Sequence, residues 1–153
     1  MPKPSEKLVE LGIELPPVAK PVAAYTHAVR TGNLVFTAGQ LPSKNGVLVL
    51  EGIVGDTVSA EDAAAASRVS ALNAVAAVAA ECGGIDNIRR IVKVTCFVAS
   101  VPTFTAQSGV SNGASELLMA IFGEAGVHAR TTISTPCLPR NSPVEVEIVA
   151  EVV

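Results

Sequence analysis

One stretch constrains the fold more than any other: SAEDAAAASRVSALNAVAAVAAECGG, which opens at Ser59 and closes on Gly83-Gly84. It is rich in alanine, the best helix former, and free of proline. The Ser59 hydroxyl can cap a first turn, with Asp62 three residues on and Glu61 complementing the helix dipole. Gly83-Gly84 supplies the stop. Ala65, Val69, Leu72, Ala76 and Ala79 recur at helical spacing, which predicts one apolar face. Such a face must be buried against other elements.

Those other elements read mainly as strands. Residues 25–29 (Tyr-Thr-His-Ala-Val) and 34–38 (Leu-Val-Phe-Thr-Ala) are β-prone runs, and Gly32-Asn33 between them suits a tight hairpin turn. Asn45-Gly46 marks another turn in the loop that precedes Ser59. Residues 88–98, IRRIVKVTCFV, predict a strand. A second helix is predicted over 111–122, with Leu117, Leu118 and Ile121 inward and Gly123 as its stop. A strand around Arg130 and a last one over 144–153 follow. In the last strand Val144, Val146 and Ile148 face one way, and Glu145 and Glu147 the other.

The order is read as β-β-α-β-α-β: one α+β domain over 23–153, with two helices on one face of a four-stranded sheet. Residues 1–22 hold five prolines and read as an extended arm with one short helical turn around Ser5 to Leu11. The second face of the sheet must stay polar or be covered by another subunit. Apolar residues make up 49% of the 153, with no Trp, one Tyr and four Phe, so the core is built from small aliphatic side chains. A surplus of such surface predicts an oligomer.

Charge and cysteine usage exclude several function classes. The net charge is −3, and the basic residues cluster only at Arg89-Arg90 with Lys93, so no nucleic-acid partner is expected. Cys82, Cys96 and Cys137 form neither a CxxC pair nor a zinc set, which predicts reduced thiols in a cytoplasmic protein. No secretory h-region or membrane-spanning stretch is read, so no membrane association is expected. Walker A, GxGxxG and HExxH elements are absent, and no nucleophile elbow is read. His27 and His128 lack carboxylates at ligand spacing, and Cys82 lacks a basic neighbour, so neither a metal nor a covalent nucleophile is indicated.

A charge inside a β-prone run is left over. In GVHARTTISTP, residues 126–136, Arg130 has no acidic residue within five positions. Its five N–H donors need partners. One reading is an ion pair with Glu145 across a subunit interface. The other is a planar fork that binds the carboxylate of a ligand, with a glutamate nearby to handle protons. Tyr25, Gln40 and Glu147 complete the polar set on β elements.

Several segments together resemble the RidA/YjgF family, also called L-PSP. YTHAV at 25–29 with GNLVFTAGQLP at 32–42 is similar to the family's first hairpin and turn. Residues 63–83 resemble its first helix, with Asn73 at a usual Asn position. IVKVTCFV at 91–98 with Phe104, and Ala129-Arg130 with Val144-Glu145-Val146-Glu147, resemble its central strand and C-terminal signature. The resemblance covers about residues 18–153.

It implies a chorismate-mutase-like homotrimer whose sheets line an inner barrel, with ligand sites in clefts between subunits. It further implies hydrolysis of reactive 2-imino or 2-enamino acids to 2-keto acids and ammonia, without a cofactor. Arg130 would be the carboxylate clamp, and Glu145 would position or activate water or relay a proton. Tyr25 would line the cleft, and Gly39 would offer backbone groups. The chain departs from the family pattern in places. His128 stands where Pro is usual, Ala38 where Ser is usual, and Thr132 where Cys or Ser is usual. Ser115 aligns with an expected Asn, and Asn112 lies one turn earlier. These features resemble a divergent subgroup with an N-terminal arm. Two further readings are a carboxylate-binding trimer without catalysis, and the endoribonuclease or translation-inhibitor role attached to some of the family's names. The partner in either of the first two is a small carboxylate-bearing metabolite.

Overall fold

A computed structural model describes residues 1–18 and 23–153. The end of the proline-rich arm, residues 19–22, lies outside the described residues. The elements are α1 (Pro4–Glu10), β1 (Ala28–Thr31), β2 (Leu34–Thr37), β3 (Ser43–Lys44), β4 (Val47–Leu48), α2 (Ala60–Cys82), β5 (Ile88–Ala99), α3 (Gln107–Phe122), β6 (Ala129–Thr135) and β7 (Val144–Val152). The fold is α+β, and the main sheet is mixed.

The main sheet has five strands, ordered β1-β2-β7-β5-β6, which are the five runs named in the sequence, although the order β-β-α-β-α-β counts only four. The order is β-β-α-β-α-β-β, because the strand of Arg130 and the final strand both join it. They flank β5: β6 runs parallel to it and β7 antiparallel. A parallel pair needs a crossover, and α3 supplies it. β3 and β4 form a separate small hairpin. Asn45 and Gly46 both take positive φ at its turn, 52° and 78°, as the Asn-Gly signal requires.

Both long helices lie on one face of the sheet. Val35, Val94, Val98, Val146 and Ile148 of that face are fully or almost fully buried against Val75 and Val78 of α2 and Leu117 and Leu118 of α3. Ser59 caps α2 through the Asp62 N–H at 3.1 Å, and Gly83 closes it in the left-handed region. The buried side of α2 is only in part the predicted one, since Ala76 and Ala79 are buried as expected. Ala65 is exposed, and Val69 and Leu72 are half-buried, whereas Ala63, Ala66, Ala71, Ala74 and Val75 are buried. Alanine nearly all round the helix leaves little contrast between faces, so periodicity alone finds only part of the buried arc. α2 packs on both β7 and α3, which widens the buried arc.

At 23 residues α2 is also long and apolar enough to cross a membrane, against the sequence reading. Most of that stretch is buried inside the fold, as befits a core helix. α3 approaches α2 closely at Gly113, where an added Cβ would strike the Ala64 carbonyl. There the Ser67 hydroxyl donates to Val110 O at 2.7 Å and accepts from the Ala114 N–H at 3.1 Å.

α1 spans two turns where one is predicted. Its Leu8 is buried with the core, and Ser5 donates from both N and Oγ to the Asp86 carboxylate at 2.9 and 2.7 Å.

Among the described residues no helix lies on the opposite face of the sheet. It carries Val29, Phe36 and Ile133, each about half exposed, with Phe97 and Val149 between them. Glu145, Glu147, Lys93 and Thr95 share this face.

Candidate functional site

Arg130 sits on the edge strand β6, in register with Val94 of β5. Residues in register share a face, and Val94 is buried beneath the helices, so Arg130 points toward α3. Thr132 and Ser134 follow on the same face, because strand side chains alternate. Thr132 meets Ser111 at 2.8 Å, and Ser134 meets Ser100 and Gln107, each at 2.7 Å. Hydroxyl pairs thus join the edge strand to α3.

α3 begins at Gln107, earlier than the predicted residue 111. Its first turns contain Ser108, Gly109, Ser111 and Gly113, which are weak helix formers, so contacts with β6 and α2 rather than propensity hold them. The earlier start has a consequence for Arg130. Asn112 and Ser115, three residues apart on one helix face, both reach the guanidinium.

The donor inventory of Arg130 is informative. The two Nη1 hydrogens go to Asn112 Oδ1 at 2.8 Å and Ser115 Oγ at 3.1 Å. Nη2 has a long contact of 3.5 Å to Ser108 O. The edge formed by Nε and Nη2 has no other partner among the described residues. Ion pairs among those residues are Lys7–Glu10 and Arg89–Glu151, so no carboxylate of its own chain neutralises Arg130. The open edge is the one that matches a carboxylate bidentately.

His128 belongs to this cluster, although nothing in the sequence assigned it a site role. Its Nδ1 lies 2.6 Å from Gly126 O, and its Nε2 lies 2.9 Å from Ser115 Oγ. The signal was its spacing of two from Arg130, which places both on one face of an extended chain.

A second group assembles around Glu145. The start of β7 exchanges backbone hydrogen bonds with Gln40, 2.8 and 3.0 Å through Val146, which lays Gly39 against the Glu145 side chain. Gln40 Nε2 lies 3.3 Å from His27 Nδ1, and the exposed Tyr25 ring stands edge-on to His27 at 6.4 Å. Glu145 is half-buried. Burial, and then the neighbouring charge of Glu147, push its carboxyl above the ordinary value. On the helix side of His27 and Gln40 a cavity of about 890 Å³ opens between the 12–18 segment and α2, with Leu72 and Asn73 also in its walls.

The structure therefore brings together Arg130, Asn112 and Ser115, with Thr132 one step along the strand. Separately it lays Gly39 against Glu145, while Tyr25 stands beside His27. Within one chain it does not join the two groups. Glu145 is in register with Phe97 on the helix-free face, whereas Arg130 faces the helices. Cys96 lies beneath Thr132, and burial pushes its thiol up to about 12 despite the nearby Arg130 charge, so it is no nucleophile at neutral pH. Among the described residues no cluster of His, Cys, Asp and Glu could hold a metal ion.

This arrangement is that of an α+β protein with a carboxylate-matching arginine at a sheet edge. Residues 5–152 match the family described as "YjgF/chorismate mutase-like, putative endoribonuclease", and the chain belongs to that family. Protein TCP17 of Trypanosoma cruzi is 39% identical over 145 residues, covering 94% of this chain and 91% of the relative. A crystal structure described as a putative endoribonuclease from Shewanella oneidensis superposes with a TM-score of 0.94 at 33% identity, covering 99% of this chain and all of the other. A protein of unknown function from Agrobacterium tumefaciens superposes with a TM-score of 0.88 at 39% identity, covering 97% and 91%.

Proposed function

We propose that this protein is a deaminase of reactive 2-imino and 2-enamino acids, working in clefts between the subunits of a homotrimer. The observation that carries this reading is the Nε/Nη2 edge of Arg130, whose one partner among the described residues is the long 3.5 Å contact to Ser108 O. The guanidinium is held in place by Asn112 and Ser115, and no carboxylate of its own chain answers it. A buried or half-buried guanidinium without a counter-charge favours an anionic ligand. In the trimer, Arg130 of one subunit faces the Gly39 and Glu145 group of the next, and the sheets line an inner barrel. The apolar residues Val29, Phe36 and Ile133 on the uncovered face support such an assembly.

The chemistry asks little beyond positioning. Arg130 fixes the substrate carboxylate. An enamine takes a proton at its β-carbon to become the imine, and water adds to the electrophilic imine carbon. Collapse of the adduct releases ammonia and leaves the 2-keto acid. Glu145, with its raised pKa, exchanges the protons. No cofactor enters these steps, and the reduced thiols suit a cytoplasmic setting.

A second reading is a trimer that binds a small carboxylate without turning it over. It is favoured by the separation of Arg130 from Glu145 within one chain. The endoribonuclease reading of the family name is weakened by the net charge of −3.

The test couples the purified protein to a threonine dehydratase reaction and follows 2-ketobutyrate. Acceleration that Arg130→Ala abolishes is the expected result, and equal rates for wild type and variant would refute the deaminase. Calorimetric binding of 2-ketobutyrate without acceleration would establish the second reading. Sedimentation should give about three times the 15.6 kDa chain mass.

A further inference from the structure

His128, Ser115 and Arg130 form a chain of hydrogen bonds whose direction can be worked out from one end. A carbonyl oxygen only accepts, so the 2.6 Å contact between His128 Nδ1 and Gly126 O requires a proton on Nδ1. In the neutral imidazole, Nε2 is then an acceptor. Its partner at 2.9 Å is Ser115 Oγ, which must donate its single O–H there. Ser115 is buried, 8% exposed, so its hydroxyl has little water to turn to. With the O–H spent, only lone pairs remain on Ser115, and one of them accepts the Arg130 Nη1 hydrogen at 3.1 Å. Asn112 Oδ1 takes the other Nη1 hydrogen at 2.8 Å.

We propose that His128 is a positioning residue which, by orienting the Ser115 hydroxyl, locks the Nη1 end of Arg130 to α3 and leaves the Nε/Nη2 edge for a planar carboxylate. The proposal rests on the reading of Arg130 as the clamp, and it adds what sets the clamp's orientation and its preference for a two-oxygen anion. Without an acceptor at position 128, the Ser115 O–H turns back to a carbonyl of its own helix, as mid-helix serines do. Its lone pairs then rotate away from Arg130, and the guanidinium swivels. A swivelling fork binds a carboxylate through one contact at a time rather than through two.

The experiment uses full-length wild type, His128→Phe, Ser115→Ala and His128→Gln, with Arg130→Ala as the control for the clamp. Phe keeps a ring in the half-buried position and removes the acceptor, whereas the Gln side-chain carbonyl restores an acceptor for Ser115. Two measurements are made. Nitrogen-15 NMR follows rotation of the Arg130 guanidinium about Nε–Cζ without ligand. Calorimetry measures affinity for 2-ketobutyrate.

Wild type should show separate Nη1 and Nη2 resonances and the Nδ1–H tautomer of His128. His128→Phe and Ser115→Ala should merge those resonances and weaken 2-ketobutyrate binding about fivefold to tenfold. His128→Gln should restore both. Unchanged rotation and affinity in His128→Phe overturn the proposal. So does a loss that His128→Gln fails to rescue, which would mark a merely structural role. If wild type and Arg130→Ala bind 2-ketobutyrate equally poorly, the clamp reading fails instead. The rotation measurement then still decides the role of His128: faster rotation in His128→Phe supports it and unchanged rotation refutes it.

Discussion

Gly39 and Glu145 pack so closely that no side chain fits between them. A Cβ on Gly39 would overlap the carboxylate oxygen Oε1 and lie 2.8 and 2.9 Å from Cδ and Cγ. The contact has a flexible side. The φ of Gly39 lies outside the left-handed region, so alanine brings no backbone strain, and the Glu145 side chain can swing away.

Gly39→Ala should therefore fold almost as well as wild type, within about 1 kcal/mol, while displacing the carboxylate from its place. Turnover in the dehydratase-coupled assay should fall by about tenfold to a hundredfold, the usual consequence of misplacing a reacting group by about 1 Å. A melting curve and the assay together check this. Full activity would remove Glu145 from the reaction.

Glu145 also predicts a pH dependence of stability. Its carboxyl is raised above the ordinary value of 4.5, chiefly by burial and then by Glu147. Between the unfolded value and the folded one, the native state binds the extra proton, so stability falls as pH rises through that window. Glu145→Gln removes the charge. The urea midpoint of the variant should exceed that of wild type at neutral pH, and the two should converge below the unfolded value. The opposite sign would mean that Arg130 of a neighbouring subunit lies close enough to Glu145 to outweigh its burial.

Two glycines of α3 should respond in opposite ways to alanine. At Gly113 a Cβ meets the backbone of Ala64 and the Ser67 hydroxyl, and backbone cannot step aside. Gly113→Ala should part the two helices and cost about 1–3 kcal/mol. At Gly109 nothing lies within 4 Å of the added carbon. Gly109→Ala should stabilise by about 0.5–1 kcal/mol through helix propensity and the unfolded chain. Urea denaturation of both variants checks the contrast.

The parts of this fold legible in the sequence were those where a local signal and the tertiary structure agree. Ser59 and Gly83 bound α2 as their capping chemistry requires, and β7 alternates Val144, Glu145, Val146 and Glu147 between faces. Legibility failed where packing rather than local preference decides. The alanines of α2 do not announce which side meets the sheet. The glycines and serines that open α3 conceal a helix held by its neighbours. Arg130 stood out because charge is rare in a β-prone run. His128 did not, since a lone histidine is uninformative until Ser115 is seen beside it.

Asn112 offers the most direct test of what Arg130 is for. Its Oδ1 holds Arg130 Nη1 at 2.8 Å as a neutral acceptor, so the guanidinium is anchored while its charge remains uncompensated. Asn112→Asp has the same shape and adds a negative charge at that point. The new carboxylate would pair with Nη1 and neutralise the fork from behind, while leaving the Nε/Nη2 edge sterically open. A ligand carboxylate would then meet a neutral pair instead of a cation, and affinity for 2-ketobutyrate should weaken by about tenfold or more. Asn112→Ala loosens one anchor and keeps the charge, so its loss should be smaller, about threefold. Calorimetry on both variants separates charge from anchoring. Binding by Asn112→Asp as tight as wild type would mean that the ligand's carboxylate is held elsewhere.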